Sequence, residues 1–521
     1  MVAAQSATQF ARTPGAHPPT QTMTPSSNPT HWPFDSVLVA NRGEIAVRVL
    51  RTVQALGLRG LVVFHPVDRD SPAVRQADQA LEIGGDTPVA AYLDAAQIIA
   101  AARGGGAGAI HPGYGFLSEN AAFARKVAEA GLVFIGPGPE AIDLMGDKVR
   151  ARAFVAQAGF PVAPSAIEDD DPASFEERAL AVGFPLLIKP AAGGGGKGMR
   201  IVREAARLHD EVLRARSEGQ RYFGDGRLYV ERYIESPRHI EVQVLGDHHG
   251  NVVHLFEREC SVQRRFQKIV EESPSPALDD ATRARICETA AGIARRAGYR
   301  NAGTVEFIFG QGEFYFLEMN TRLQVEHPVT EQITGVDLVR EQLRIAAGEP
   351  LGYPQSAIVT RGHAIEYRLY AEDPAAGFVP TTGPVLAWRP PVGDGIRVDA
   401  GICEGNIVTV AFDPMLAKLI VSAADRPAAL TAADDALART VLLGCRTNIG
   451  FLRRLTRDPR FTAGAVHTGF LDAQPELAAD PAPDADTLQA LLAAAALSAR
   501  PVRDEALAIP ALHAAIGHWR N

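Results

Sequence analysis

A chain of 521 residues is too long for one hydrophobic core and implies about three domains or lobes. Its apolar fraction of 46% and charged fraction of 22% are those of a soluble globular protein, and a formal net charge of -9 leaves no basic footprint for nucleic acid. Cys260, Cys287, Cys403 and Cys445 form no CxxC pair and have no His at zinc spacing, and no apolar run reaches the ~20 residues that cross a bilayer. A soluble, cytoplasmic protein is expected, without a structural zinc or a membrane span.

Residues 1–33 are rich in Pro, Ser, Thr and Ala with a single Arg, which predicts a disordered tail and not a targeting peptide. From Phe34 the chain alternates: "SVLVAN" reads as a strand, "GEIAVRVLRTVQALG" as a helix and "LRGLVVFHP" as a second strand, a doubly wound α/β unit over residues 34–147. Within it "HPGYGF" is a glycine-rich loop between strand and helix, either a functional loop or a tight turn whose glycines need only supply positive φ, and Ser118 is the expected cap of the helix that follows.

Residues 148–348 carry most of the chemistry. "GGGGKG", Gly193 to Gly198, matches GxGxxG, but a strand follows where the dinucleotide fingerprint needs a helix, and Gly198 stands where a Walker A loop needs Ser or Thr. What remains is a glycine hairpin between strands, with Lys189 at its base and Lys197 near its tip, able to fold over phosphates or to be merely a mobile surface hairpin. In "GRLYVERYIESPRHIEVQV", Glu231 to Ile234 reads as an edge segment whose backbone could meet a base, and His239 could reach a ribose or phosphate. Arg264, Arg265 and Lys268 follow close together, as a charged surface turn or as a site for an anion.

Next, "GTVEFIFGQGEFYFLEMN" reads as a β-hairpin with its loop near Gly312, which sets Glu306 opposite Glu318 with side chains about 5 Å apart. Two carboxylates facing each other repel, and against an apolar hairpin they are tolerable only if a cation sits between them or one takes a proton. With Asn320 they offer the hard oxygens that Mg²⁺ prefers. In "EMNTRLQVEHPVTE" the polar Glu318, Asn320, Arg322, Gln324 and Glu326 alternate with apolar residues, so an extended chain would put all five on one face. Residues 349–475 form a β-rich third lobe, and 476–521, rich in Ala, Asp and Pro, a looser helical extension.

From about Phe34 to Leu471 the chain resembles biotin carboxylase, the ATP-grasp enzyme or domain of biotin-dependent carboxylases. "HPGYGFLSEN", "KPAAGGGGKGMR", "ERYIESPRHIEVQV", "EMNTRLQVEHPVTE" and "RGHAIEYRLYAEDP" carry the likeness in order and spacing, the last leaning toward the acyl-CoA carboxylase α-subunit branch. The resemblance implies an ATP-grasp domain with a mobile lid over about 160–232. It implies ATP held by Lys148, Lys189, Gly195, Gly196, Glu231, Arg232, Tyr233, Ile234, His239 and Gln263, and two Mg²⁺ or Mn²⁺ ions on Glu306, Glu318 and Asn320. Lys268, Arg322, Gln324 and the backbone of Val325 would position bicarbonate, Glu326 would act as general base, and Arg368 would face the ureido oxygen of biotin. The reaction implied is ATP-dependent carboxylation of biotin through carboxyphosphate.

None of the six Met residues precedes a Lys, so biotin is expected on a separate carrier protein or domain, with a carboxyltransferase as further partner and a homodimer as the family's assembly. The ending "IGHWRN" resembles a junction with further domains, so the chain is expected to be a fragment of a longer subunit. The departures are Phe266 for a common His, Ala411-Phe412 for a common Tyr-Tyr, and Lys197 for the frequent lid Arg; Cys260, lacking a His partner, is not expected to be catalytic. Two other classes compete: an ATP-grasp enzyme making another acyl phosphate, such as carbamoyl phosphate synthetase, which should lack Arg368 in this context, and a non-catalytic nucleotide-binding scaffold, which should not retain Glu326, Arg322 and both metal carboxylates.

Overall fold

The computed structural model describes residues 32–506 apart from 169–170, 191–198, 224 and 483. The expected lid hairpin, Gly193 to Gly198 with Gly195, Gly196 and Lys197, lies outside the described residues, as do most of the expected tail and the ending "IGHWRN".

Strands β1 (Ser36–Val39), β2 (Arg59–Phe64), β3 (Gln79–Glu82), β4 (Ala109–His111) and β5 (Val133–Phe134) form a parallel sheet in the order β3-β2-β1-β4-β5. "SVLV" is buried at every position, as a strand covered on both faces by helices must be. The expected helix runs Gly43–Ala55 and turns Ile45, Val49, Leu50 and Val53 into the core. Strand order reverses between β1 and β4, and the loops leaving their carboxyl ends flank the crevice where open α/β sheets bind ligands. The doubly wound expectation holds. The helix after β4 is Ala121–Glu129, and its cap is Asn120, whose side chain accepts from the Phe123 amide, and not Ser118.

A four-stranded antiparallel sheet follows, β6 (Ser165–Ile167), β7 (Leu186–Pro190), β8 (Arg200–Val202) and β9 (Leu228–Arg232), in the order β6-β9-β7-β8. Here β9 is an inner strand, so the edge reading of Glu231 to Ile234 fails: Glu231 pairs with Ser165 on one side and Leu187 on the other. The Arg232 and Tyr233 amides donate to Pro164 and Pro185 carbonyls.

The third sheet has eight antiparallel strands. They are β10 (Arg238–Gly246), β11 (Val252–Arg264), β12 (Gln267–Ser273), β13 (Asn301–Gly310), β14 (Glu313–Asn320) and β15 (His363–Tyr370), joined by Met415–Ala423 and Ile396–Ala400. The order β14-β13-β10-β11-β12-β15 continues through the last two, so residues before and after the expected boundary at 348 share one sheet. The β13–β14 hairpin closes as the sequence predicts: Gly310 pairs with Glu313, and Gln311 (φ +57°) and Gly312 (φ +81°) make a two-residue left-handed turn that suits strand twist. The expected extended run ends early, however. β14 stops at Asn320, and a helix, His327–Thr334, begins just after Glu326.

Candidate active site

The hairpin delivers the predicted register. Glu306 stands opposite Glu318, with a bulge between Glu306 and Phe307. The row extends further than the sequence revealed, because Glu241 of β10 pairs with Glu306 on its other side and Arg258 of β11 pairs with Glu241. Alternation in "HIEVQV" was the available signal for Glu241, whereas nothing in "ERECSVQ" marks Arg258 as central. Arg258 is fully buried and uses all five N–H donors: Nε on Glu241, Nη1 on Gln243 (2.8 Å) and Thr330 (3.0 Å), Nη2 on Thr304 (3.1 Å) and Gln324 (2.7 Å).

Lys268 is the hub. Its ammonium reaches Glu241 at 2.6 Å, Glu306 at 3.0 Å and Glu326 at 2.7 Å, one carboxylate for each N–H. Glu326 divides its oxygens, Oε1 to Lys268 and Oε2 to Arg368 at 3.0 Å. Burial alone would raise the Glu326 pKa, but Lys268, Arg368 and Arg258 together hold it well below the usual carboxylate range. Glu306 is treated alike: burial is overcome by Lys268 and by His239, whose Nε2 approaches Glu306 Oε2 at 2.8 Å. Both carboxylates are therefore ionised.

The other expected site residues gather here or nearby. Asn320 and Gln324 each donate to Glu306 Oε1 at 2.8 Å, and Arg322 donates to Asn320 Oδ1 at 3.0 Å. Glu318 pairs with Lys148 at 2.7 Å, at the start of the helix Lys148–Gln157. The Val325 carbonyl accepts from Lys418 at 2.8 Å, and Gln263 is the register neighbour of Lys268. Lys189 pairs with Glu231 on the small sheet. The Arg264–Arg265–Lys268 cluster splits, since Arg264 turns to Glu372 and the Phe378 ring while Arg265 and Phe266 are exposed in the left-handed turn between β11 and β12. Only Lys268 faces the carboxylates. Phe412, from the Ala411-Phe412 departure, packs on the Arg42 guanidinium at 3.8 Å and edge-on to Tyr92, away from this cluster. Burial pushes the Cys260 thiol well up, so it stays protonated, in keeping with no catalytic use.

Residues of this neighbourhood that escaped sequence reasoning include Glu241, Arg258, Glu271 and Glu366. Glu271 of β12 grips Arg368 through Nε at 2.6 Å and is the register partner of Glu366 on β15. Among the described residues, Glu271 Oε2 and both Glu366 oxygens find no hydrogen-bond partner. Burial raises Glu271 to about 7, against the pull of Arg368, and pushes Glu366 well above the carboxylate range, against Lys418.

Among the described residues, two groups of carboxylate, thiol and imidazole ligands are close enough to share an ion, His239-Glu241-Glu306 and Glu241-Cys260-Glu326. Glu318 belongs to neither, but its place opposite Glu306, with the Asn320 amide beside them, supplies the oxygen set that a hard cation takes. Lys268, His239 and Lys148 occupy the carboxylate oxygens that such an ion would share.

Comparison with known proteins agrees with this geometry. Family profiles described as "Biotin carboxylase, N-terminal domain", "Carbamoyl-phosphate synthase L chain, ATP binding domain" and "Biotin carboxylase C-terminal domain" match residues 33–142, 147–353 and 366–473. The biotin carboxylase of Halalkalibacterium halodurans is 49% identical over 442 residues, 84% of this chain and 97% of that protein. The mitochondrial methylcrotonoyl-CoA carboxylase subunit alpha of Rattus norvegicus is 48% identical over 84% of this chain, which spans 61% of that subunit. The biotin carboxylase domain dimer of Hydrogenobacter thermophilus 2-oxoglutarate carboxylase, solved with MgADP, ADP and bicarbonate, superposes with a TM-score of 0.78 at 44% identity, covering 87% of this chain and all of that one.

Proposed function

Because the chain belongs to the biotin carboxylase family, we propose that it carboxylates the ureido nitrogen of carrier-borne biotin, using ATP and bicarbonate, as the first half-reaction of an acyl-CoA carboxylase. The observation that carries this reading is the Glu326 carboxylate, buried and held ionised between Lys268 and Arg368, beside the opposed pair Glu306 and Glu318. Bicarbonate and Mg²⁺ADP in the H. thermophilus domain support the same chemistry here.

Residue roles follow from charge. Glu306, Glu318 and Asn320 would hold Mg²⁺ or Mn²⁺, which when bound neutralises phosphate charge. Lys148, Lys189, Gly195, Gly196, His239, Gln263 and the segment Glu231 to Ile234 would hold the nucleotide. Lys268, Arg322, Gln324 and the Val325 backbone would position bicarbonate, offsetting its repulsion from the γ-phosphate. Glu326 takes the bicarbonate proton as the hydroxyl oxygen attacks the γ-phosphorus; the bond from that phosphorus to the β,γ-bridging oxygen breaks, ADP leaves, and carboxyphosphate forms. In the resting site Lys268 and Arg368 hold Glu326 too acidic to be a good base, and drawing either cation toward a substrate anion restores its basicity. Carboxyphosphate then yields CO₂ and phosphate, phosphate takes the ureido proton, and Arg368 stabilises the negative oxygen while nitrogen captures CO₂.

The domain reading, an α/β lobe over 34–147, an ATP-grasp domain over 148–348 and a β-rich lobe over 349–475, is part of this proposal, as are a carrier, a carboxyltransferase and a homodimer as partners. Among the described residues no helix is long and apolar enough to cross a membrane, and the four thiols are free, which supports a reducing, cytoplasmic setting. Release of ADP that needs bicarbonate and rises with biotin tests the function; release indifferent to biotin would assign another acyl-phosphate enzyme instead.

A further inference from the structure

In the loop "HPGYGFLSEN" the glycines make a tight turn, with φ of +65° at Gly113 and +67° at Gly115. The loop has a second feature. It leaves the carboxyl end of β4 and is stitched to the end of β1, because the Asn41 side-chain amide donates to the Pro112 carbonyl at 2.7 Å and the Tyr114 carbonyl at 2.8 Å. Further along, the Ser118 amide bonds to Gly115 and the Asn120 amide to Leu117, and Asn120 caps the next helix. Glu119 is thereby fixed between two anchored neighbours at the rim of the N-terminal lobe.

Its carboxylate crosses to the hairpin. Oε1 accepts from the Thr321 amide at 3.0 Å, and Oε2 accepts from Arg322 Nε at 2.8 Å. Thr321 is the first residue after β14, where the amide has left the strand ladder, so Glu119 supplies the acceptor that the sheet no longer does. The guanidinium is held at three points, by Glu119 on Nε, by Asn320 Oδ1 on Nη2 and, more weakly, by the Leu323 carbonyl on Nη1 at 3.4 Å. Arg322 is mostly buried, and the charges of Glu119, Glu326 and Glu306 keep it protonated against that burial.

We propose that Glu119 is a positioning residue of the N-terminal lobe that aims Arg322 at bicarbonate, so that the anion site is completed across two lobes. The inference rests on the proposed role of Arg322. Without Glu119 the guanidinium keeps Asn320 and the Leu323 carbonyl and remains in place as a charge, but loses its charged partner at Nε and leaves the Thr321 amide without this acceptor.

The test is steady-state kinetics with bicarbonate, ATP and biotin varied in turn. For Glu119→Ala, KM for bicarbonate should rise about tenfold, the loss of one charge-assisted hydrogen bond, while KM for ATP stays within about twofold and ADP still binds. Glu119→Asp, with a shorter reach and the same charge, should recover part of the loss. An unchanged bicarbonate KM in Glu119→Ala, alongside a raised one in Arg322→Ala, would overturn the positioning role and leave the function standing. An unchanged bicarbonate KM in Arg322→Ala would remove Arg322 from the anion site, and this inference with it. A uniform fall in kcat with every KM intact would mark Glu119 as merely structural and also overturn it.

Discussion

Two buried charge clusters meet at the helix His327–Thr334, and they are built on different sums. In one, Arg48 pairs with Glu331 and Asp337, Arg397 with Glu331 and Asp399, and Arg51 with Asp399: three cations against three acids. Despite burial, arginines there hold both Glu331 and Asp399 below the usual range. In the other, Arg258, Lys268, Arg368 and Lys418 face Glu241, Glu271, Glu306, Glu326 and Glu366, four cations against five acids. There the surplus shows as raised pKa values at Glu271 and Glu366. The balanced cluster joins the first helix, Gly43–Ala55, to the C-terminal strands and asks nothing of a ligand. The other carries more carboxyl groups than cations, the excess held in the proton-retaining Glu271 and Glu366, beside the residues proposed to hold metal.

Perturbing each cluster should separate chemistry from stability. Glu326→Gln should lower bicarbonate-dependent ADP release by about 10²- to 10⁴-fold, the usual worth of a general base, with nucleotide binding retained in an equilibrium assay. Wild-type turnover in that variant would return Glu326 to a structural role. Glu331→Ala, in the balanced cluster, strips Arg48 and Arg397 of a shared partner and should cost about 3–5 kcal/mol in urea unfolding. At a temperature where this variant is folded, its bicarbonate KM should match the parent's; a large KM change would erase the distinction between the clusters.

A subtler test uses pH. The Glu271 pKa is raised from an ordinary 4.5 to about 7 by burial, so the folded state binds its proton more tightly than the unfolded chain does. Its stabilising contribution is complete below 4.5 and is lost as pH rises through about 7. Glu271→Gln should therefore flatten the decline in unfolding free energy across that window; an unaltered slope would place the surplus charge elsewhere. The smallest effect expected is at Phe412→Ala, where the lost stacking on Arg42 should cost about 1 kcal/mol and leave turnover unchanged.

Legibility followed sequence distance. The opposition of Glu306 and Glu318 could be read to within one residue from a hairpin centred near Gly312; the two-residue turn alone would set Glu306 opposite Leu317, and the bulge between Glu306 and Phe307 brings Glu318 there. Lys268, Arg322, Gln324, Glu326 and Arg368 came from the family resemblance, and their contacts join them in one network. Glu271 beside Glu366, or Glu119 beside Arg322, could not be read, since those partners lie 95 and 203 positions apart and no local period links them. Where local pattern alone was pressed beyond a strand's end, it failed: "EMNTRLQVEHPVTE" is extended only to Asn320, and Glu326 joins the site by starting a helix.

The single sheet passing from β14 to Ile396–Ala400 bears on how this protein could be divided or recombined. A cut near residue 348 would strip β12 of β15, bare a long row of amides and carbonyls, and leave Glu271 with no guanidinium to hold. Chimeras exchanging everything after residue 348 between relatives would have to carry a matching β12 with them, so the sheet moves as a whole or not at all.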